Sequence, residues 1–125
     1  MSDFGTPRLL CDVQAVSAEH HQDGGALWRL DVEQRDLDAN VIGLAAGKRI
    51  DAHTGPDLDV LMLVVGGAGD VEGADGAVQV HAGSLVWLPR RSQRSIVAGP
   101  DGLRYLTVHP RRPALSIGTA LNRRR

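Results

Sequence analysis

The sequence is poor in several kinds of residue, and each shortage excludes a class of protein. Its one cysteine, Cys11, cannot form an internal disulfide, which favours a reducing compartment such as the cytoplasm. The longest apolar run, residues 60–65, is far shorter than the roughly 20 residues that cross a bilayer. With 14 basic and 15 acidic residues, the chain lacks the positive charge of a nucleic-acid binder. We therefore expect a cytoplasmic protein that binds neither membranes nor nucleic acid.

The length of the chain sets its domain organisation. At 125 residues it fits one domain, which buries roughly two-thirds of its unfolded surface. Residues 1–5 contain no basic stretch followed by an apolar run, so we expect no signal peptide. We predict a single domain over residues 1–125, with its core in about 40–110 and a frayed tail at 119–125.

Apolar residues alternate with polar ones along much of the chain, and turn residues interrupt this pattern every eight to twelve positions or so. A period of two predicts strands rather than helices, and the regular interruption predicts an all-β sandwich or barrel. The stretch 58–65 is apolar enough to be a strand buried on both faces. We expect strands within residues 9–16, 28–33, 40–46, 58–65, 85–88, 95–98 and 103–109.

Glycine and proline mark where these strands end. Glycines at 66, 67 and 69 predict a break after the fourth strand, and Asp75-Gly76 predicts a tight hairpin. Pro89 ends the strand at 85–88, because proline cannot donate to a strand ladder. Residues 99–102, Gly-Pro-Asp-Gly, predict a turn between two further strands.

Two stretches carry residues at a regular spacing. The first has Gly47, His53, Gly55, Asp59 and Gly66, and the second has Gly83, Pro89, Arg91, Arg94 and Ala98. This spacing resembles the two motifs of the cupin superfamily, in small single-domain bacterial form. The resemblance implies one cupin-type β-barrel, a jelly roll or double-stranded β-helix, and these barrels are often homodimers. We therefore expect a homodimer.

The resemblance also implies a metal site, which this chain has largely lost. Cupins hold a divalent metal with three histidines and a glutamate, whereas here His53 and Asp59 occupy two of those positions. Gly55 has no side chain to coordinate with, and Arg94 places a permanent positive charge at the third histidine position. We therefore expect no metal and no other cofactor. The runner-up is a divalent transition metal held by His53, Asp59 and His109.

Arg94 and Asp59 occupy positions that meet inside the barrel in the family that this chain resembles. One hypothesis is that they form a buried ion pair that fills the space of the metal. The other is that Arg94 binds an anionic group of a ligand, such as a carboxylate or a phosphate. The sequence leaves this choice open.

Our prediction from the sequence is a barrel that binds a small, anionic molecule. The candidate ligand-binding residues are His53, Asp59, Arg94, Trp87, Tyr105 and His109. One alternative is a metal-dependent oxygenase or isomerase. Another uses His53 and Asp59 as a base and Tyr105 as an acid, without a metal. A third is a structural or interaction module without a ligand, whose interior Leu61, Leu63 and Trp87 would fill.

Overall fold

A computed structural model describes residues 5–111; the tail predicted at 119–125 lies outside this range. The chain forms one short helix and then seven strands. The elements are α1 Val13–Glu19, β1 Gly25–Arg29, β2 Leu37–Leu44, β3 Arg49–Thr54, β4 Val60–Gly73, β5 Gly76–His81, β6 Leu85–Leu88 and β7 Gln93–Pro110. The all-β prediction is therefore confirmed.

Two long antiparallel strands, β4 and β7, run through the whole fold as a central ribbon. Around one half of this ribbon, β5 pairs with β4 and β3 pairs with β7. Around the other half, β6 pairs with β4 and β2 pairs with β7, and β1 extends that sheet beyond β2. We call these the β3–β5 half and the β2–β6 half. The arrangement is a jelly roll, as predicted.

Glycines let the ribbon bend between the two halves, which corrects two sequence predictions. The expected break at residues 66–69 does not occur, because β4 continues to Gly73 with register shifts on either side of Gly67. Gly67 has a φ of 73°, and a Cβ there would overlap the carbonyl oxygen of Gly102. The expected turn at residues 99–102 is likewise a bulge within β7. The glycines in the sequence marked these positions, but contacts between β4 and β7 decide that the chain forms bulges there rather than turns.

The core lies between the two halves. The β3–β5 half contributes Val71, Val80, Ile96 and Ala98, and the β2–β6 half contributes Val60, Met62, Val64, Leu88, Leu103 and Tyr105. Along β4, buried Val60, Met62 and Val64 alternate with the more exposed Leu61 and Leu63. The prediction that this strand is buried on both faces is therefore wrong. Leu61, Leu63 and Trp87 point away from the core, so they do not fill the interior.

Two predicted strand ends are confirmed. Gly73 pairs with Gly76 across the tight turn formed by Ala74 and Asp75, so the hairpin is present. Strand β6 ends at Leu88, immediately before Pro89. By contrast, the strand predicted at 28–33 begins and ends earlier, as β1 Gly25–Arg29, which contains a bulge between Ala26 and Trp28.

The predicted first strand at residues 9–16 is wrong, since α1 occupies Val13–Glu19. Asp12 caps this helix by accepting hydrogen bonds from the backbone N–H groups of Gln14 and Ala15 at 3.0 and 3.2 Å. Val13, Val16 and Ser17 then face the sheet at helical spacing, with Ser17 buried. In residues 5–111 no helix has the length and apolar character needed to cross a membrane.

Candidate ligand-binding site

Arg94 is the central residue of the candidate site. It is the second residue of β7 and lies on the same side of the strand as buried Ile96 and Ala98, with 7% of its surface exposed. Its Nη1 donates hydrogen bonds to the Ser92 hydroxyl at 2.9 Å and the Pro89 carbonyl at 3.3 Å. Burial lowers the pKa of its guanidinium from the ordinary value, yet arginine remains protonated at any physiological pH.

Arg94 occupies the space that Gly55 leaves empty. A Cβ on Gly55 would overlap the guanidinium carbon and both terminal nitrogens of Arg94. The backbone N–H of Gly55 donates to the Ser92 carbonyl at 2.9 Å, which holds the two loops together. The two departures from the cupin motifs are thus complementary, because the missing side chain at position 55 makes room for the arginine.

The hypothesis of an Arg94–Asp59 ion pair is wrong. Asp59 accepts hydrogen bonds from Arg90, at 3.1 Å from its backbone nitrogen and 3.3 Å from its Nη2. These hydrogen bonds lower the pKa of the Asp59 carboxyl. Within the described range, no carboxylate lies within 4.0 Å of the Arg94 guanidinium. Arg94 therefore carries a buried positive charge that no carboxylate of residues 5–111 pairs with.

His53 lies beside Arg94 but at the exposed edge of the barrel. Its Cα is the partner of the Arg94 Cα in the β3–β7 ladder. Its ring nitrogen Nδ1 is 2.9 Å from the Asp51 carbonyl, and its side chain is exposed. His53 is therefore exposed to solvent rather than inside the barrel.

The proposed acid–base set does not form a hydrogen-bonded group. Tyr105 is 3% exposed, in the core, where burial raises the pKa of its hydroxyl to about 12 and the charge of Arg94 opposes that shift. His53 is held by its own strand and Asp59 by Arg90. Among residues 5–111, no hydrogen bond joins any two of His53, Asp59 and Tyr105.

The residues present do not fit the metal that the cupin resemblance implies. His109 pairs with Asp38 in the β2–β7 ladder and lines a separate cavity of about 370 Å³ in the β2–β6 half. Across residues 5–111, no three His, Cys, Asp or Glu side chains group closely enough to hold an ion. The predicted set of His53, Asp59 and His109 is therefore not assembled. The Arg94 guanidinium adds a positive charge that would repel a cation.

A cavity of about 440 Å³ opens between the edge strands β5 and β6 and reaches Arg94. We call it the Arg94 cavity. Its apolar wall includes Val71, Val78, Val86, Trp87, Leu88 and Pro89, and its polar side chains include Glu72, Ser92, Gln93 and Arg94. Glu72 is held by Arg49 at 3.2 Å and by the Ser95 hydroxyl at 2.5 Å. Asp75, at the tight turn, also lines the cavity. The cavity thus combines a mostly apolar wall with one buried cation and two carboxylates, of which Glu72 is already paired.

The sequence prediction found part of this site. It named Arg94 and Trp87, and it missed Ser92, Val78 and Val86, which complete the cavity. Ser92 had a local signal, since it precedes Arg94 by two residues and its hydroxyl accepts from that side chain. Val78 and Val86 had none, because they reach the same cavity only through the pairing of β5 and of β6 with β4.

Comparisons with known proteins agree with this architecture. The profile of the family described as "AraC-like ligand binding domain" matches residues 44–116. No curated protein matches the sequence.

Three solved structures have a similar fold. A cupin-2 domain containing protein from Shewanella frigidimarina is 17% identical with a TM-score of 0.65, over 82% of this chain and 95% of that one. A protein from Bacillus halodurans is 16% identical with a TM-score of 0.66, over 92% and 89%. The polyketide cyclase RemF from Streptomyces resistomycificus is 19% identical with a TM-score of 0.57, over 68% and 66%. At these identities the likeness concerns the fold.

Proposed function

Because this chain belongs to the family of AraC-like ligand binding domains, within the cupin superfamily, we propose that it binds a small anionic molecule in the Arg94 cavity. The observation that carries this proposal is the buried guanidinium of Arg94, which no carboxylate of the described residues neutralises. The ligand would supply the missing anion.

The hydrogen bonds of Arg94 explain how it would serve as an anchor. Nη1 is occupied by Ser92 and Pro89, which fixes the orientation of the planar group. Nε and Nη2 donate to no side chain or carbonyl in residues 5–111. A carboxylate or phosphate oxygen accepting from them would form a charge-assisted hydrogen bond, about twice as strong as a neutral one.

The wall of the cavity indicates the rest of the ligand. Val78, Val86 and Trp87 give it an apolar surface near its opening, and Val71 and Leu88 continue that surface toward the core. A ligand with an apolar body and one acidic group would match both parts. A purely polar anion would leave the apolar wall in contact with water and gain less from binding.

The other functions considered from the sequence have weaker support. A metal-dependent enzyme needs ligands that meet, and His53, Asp59 and His109 do not. An acid–base enzyme needs His53, Asp59 and Tyr105 in contact, and each has a different partner or environment. A ligand-free module would leave the charge of Arg94 without a partner among the described residues, next to an open cleft of about 440 Å³.

We also propose that the protein works as a homodimer in the cytoplasm. With Cys11 as its single cysteine, the chain depends on no internal disulfide, so a reducing compartment suits it.

The test is a thermal-shift screen with small carboxylates and phosphates that carry an aliphatic or aromatic body. We expect at least one compound to raise the melting temperature of the wild type by roughly 5 °C or more when near saturation. Arg94→Met, which keeps the length of the side chain without its charge, should abolish this rise.

Arg90→Met is the matched control, because Arg90 is a neighbouring arginine that does not line the cavity and pairs with Asp59 instead. Its response to the compound should equal that of the wild type. A wild type that responds to no acidic compound would contradict the proposed function. An equal response in Arg94→Met would contradict the role of Arg94.

A further inference from the structure

Arg104 is a second buried arginine, and its side chain lies on the face of β7 that points away from the core. It directly precedes the core residue Tyr105 in the strand, so the two side chains point to opposite faces. Only 7% of the surface of Arg104 is exposed. A Cβ on Gly66 would overlap its Nη2, so the guanidinium lies directly against the backbone of β4. Arg104 is therefore held in one place rather than extended into solvent.

The charge of Arg104 has no carboxylate partner within the described part of the chain. Nε donates to the Ser17 hydroxyl, and Nη1 donates to the backbone carbonyls of His21 and Asp101. Nη2 donates to no acceptor of the described residues. Since none of their buried side-chain nitrogens lacks a partner, Nη2 must reach accessible space. A fixed, buried cation therefore keeps one donor nitrogen available.

A cavity of about 530 Å³ lies beside Arg104 and shares no lining residue with the Arg94 cavity. We call it the Arg104 cavity. Its wall is formed by the residues that follow α1, the residues that follow β2 and the bulge in β7. Besides Arg104, the lining residues are His21, Gln22, Ala45, Ala46, Pro100 and Asp101. These side chains are polar or small, in contrast to the valines, leucine and tryptophan of the Arg94 cavity.

The polar groups of this wall suit an oxyanion. The His21 Nδ1 is 3.2 Å from the Ala18 carbonyl, which leaves Nε2 without a partner among the described residues. Gln22 is exposed and adds a side-chain amide that can donate. Asp101 is the one carboxylate of the wall, but it is exposed and more than 4.0 Å from the guanidinium, so solvent screens its repulsion of an anion.

We propose that the Arg104 cavity binds the phosphate group of a small polar molecule. Nη2 of Arg104 would donate a charge-assisted hydrogen bond, and Gln22 would add a second donor. A phosphate group has three acceptor oxygens, which is enough to engage both residues at once. The volume lies in the range of pockets for small molecules, which favours a phosphate ester over a bare ion. This site lies outside the barrel core and does not depend on the proposed function.

The test is an NMR titration of isotope-labelled protein with inorganic phosphate, which carries only the group that Arg104 would recognise. We expect the backbone amides of Gln22, Ala46 and Asp101 to shift saturably, with a dissociation constant on the order of 1 mM. Ala46→Glu should raise that constant about tenfold or more, because it places a carboxylate beside the phosphate. Ala46 is exposed in a turn, so this variant should fold, whereas loss of Arg104 would also release α1.

Ala82→Glu is the matched control, because Ala82 is exposed, lines neither cavity and receives the same added charge. It should bind phosphate as the wild type does, and so should Arg94→Met. A wild type without saturable shifts at the three amides would overturn the proposal. Equal binding in Ala46→Glu, or equal weakening in Ala82→Glu, would do the same. Loss of the shifts in Arg94→Met would assign the phosphate to the Arg94 cavity and overturn the second site alone.

Discussion

Arg91 is the one residue besides glycine with a positive φ, 57°, in residues 5–111. This left-handed conformation costs roughly 1–2 kcal/mol for a residue with a Cβ. It is kept because the Arg91 N–H donates to the Pro56 carbonyl at 2.8 Å, in the loop that leads to the binding site. We expect Arg91→Gly to raise the free energy of unfolding by about 0.5–1 kcal/mol, measured by urea denaturation.

Arg90→Gly provides the comparison, since Arg90 lies next in the same loop but has no positive φ. Each variant loses one exposed side-chain contact, Arg90 with Asp59 and Arg91 with Asp57, but only Arg91→Gly also relieves a positive φ. The free energy of unfolding of Arg90→Gly should therefore fall. If Arg91→Gly were no more stable than the wild type, position 91 would not be strained as described.

Tyr105 should make stability depend on alkaline pH. Its pKa is raised to about 12 by burial in the folded state, whereas the ordinary value is 10.0. Below pH 10 the hydroxyl is neutral in both the folded and the unfolded state, so its contribution to stability does not change with pH. Between about pH 10 and 12 only the unfolded state loses the proton, so stability falls by on the order of 2 kcal/mol and then levels off.

The measurement is urea unfolding across this range, together with phenolate absorbance, which reports Tyr105 alone because the chain has one tyrosine. In Tyr105→Phe, the free energy of unfolding should not show the decrease that the ionisation of Tyr105 causes. A native tyrosine that ionises at its ordinary pKa would mean that Tyr105 is not buried as described.

At the scale of elements, α1 is attached to the outer side of the sheet by one buried hydrogen bond. Arg104 donates from Nε to the Ser17 hydroxyl at 3.0 Å, and its Nη1 donates to the carbonyls of His21 and Asp101 at 3.1 and 2.9 Å. Removing the hydroxyl leaves the Nε donor buried and unpaired. We expect Ser17→Ala to lower the free energy of unfolding by about 1–3 kcal/mol.

Gln14→Ala tests whether this effect belongs to the contact or to the helix in general. Gln14 lies on the exposed side of α1, so its replacement should change stability by less than about 0.5 kcal/mol. Equal losses in both variants, measured by urea denaturation, would mean that Arg104 does not depend on Ser17.

Elements that depend on neighbouring residues could be predicted from the sequence, and those that depend on distant contacts could not. The hairpin at Asp75-Gly76 and the end of β6 at Pro89 follow from local turn chemistry. The continuity of β4 through its glycines depends on β7, more than twenty residues further along the chain. The bond between Ser17 and Arg104 joins residues 87 positions apart, and no periodic pattern signals it.

The same division applies to the candidate site. The spacing of Gly55 and Arg94 in the cupin-like motifs located both residues, and the structure shows their side-chain space to be complementary. Arg90 and Arg94 both lie close to Pro89 in the sequence, so either could have paired with Asp59. The geometry of the loop decides that Arg90 does. Charge and spacing alone could not distinguish them.

At the scale of the whole molecule, the two halves of the jelly roll leave two different surfaces. The gap between the edge strands β5 and β6 opens inward to the Arg94 cavity. The outer side of the β2–β6 half carries the exposed Leu61 and Leu85 and holds α1 through the Ser17–Arg104 hydrogen bond. The net charge of −1 gives no general attraction for anions, so selectivity for an acidic ligand must come from Arg94 locally.

The most direct test of that central claim is a calorimetric titration that pairs a change in the ligand with a change in the protein. The acidic compound with the largest thermal shift and its neutral primary amide are each titrated into the wild type and into Arg94→Met. We predict that the wild type binds the acid about 30-fold or more tightly than the amide, and that Arg94→Met loses this preference. A preference of the same size in both proteins would contradict the account, because the anion would then be recognised elsewhere.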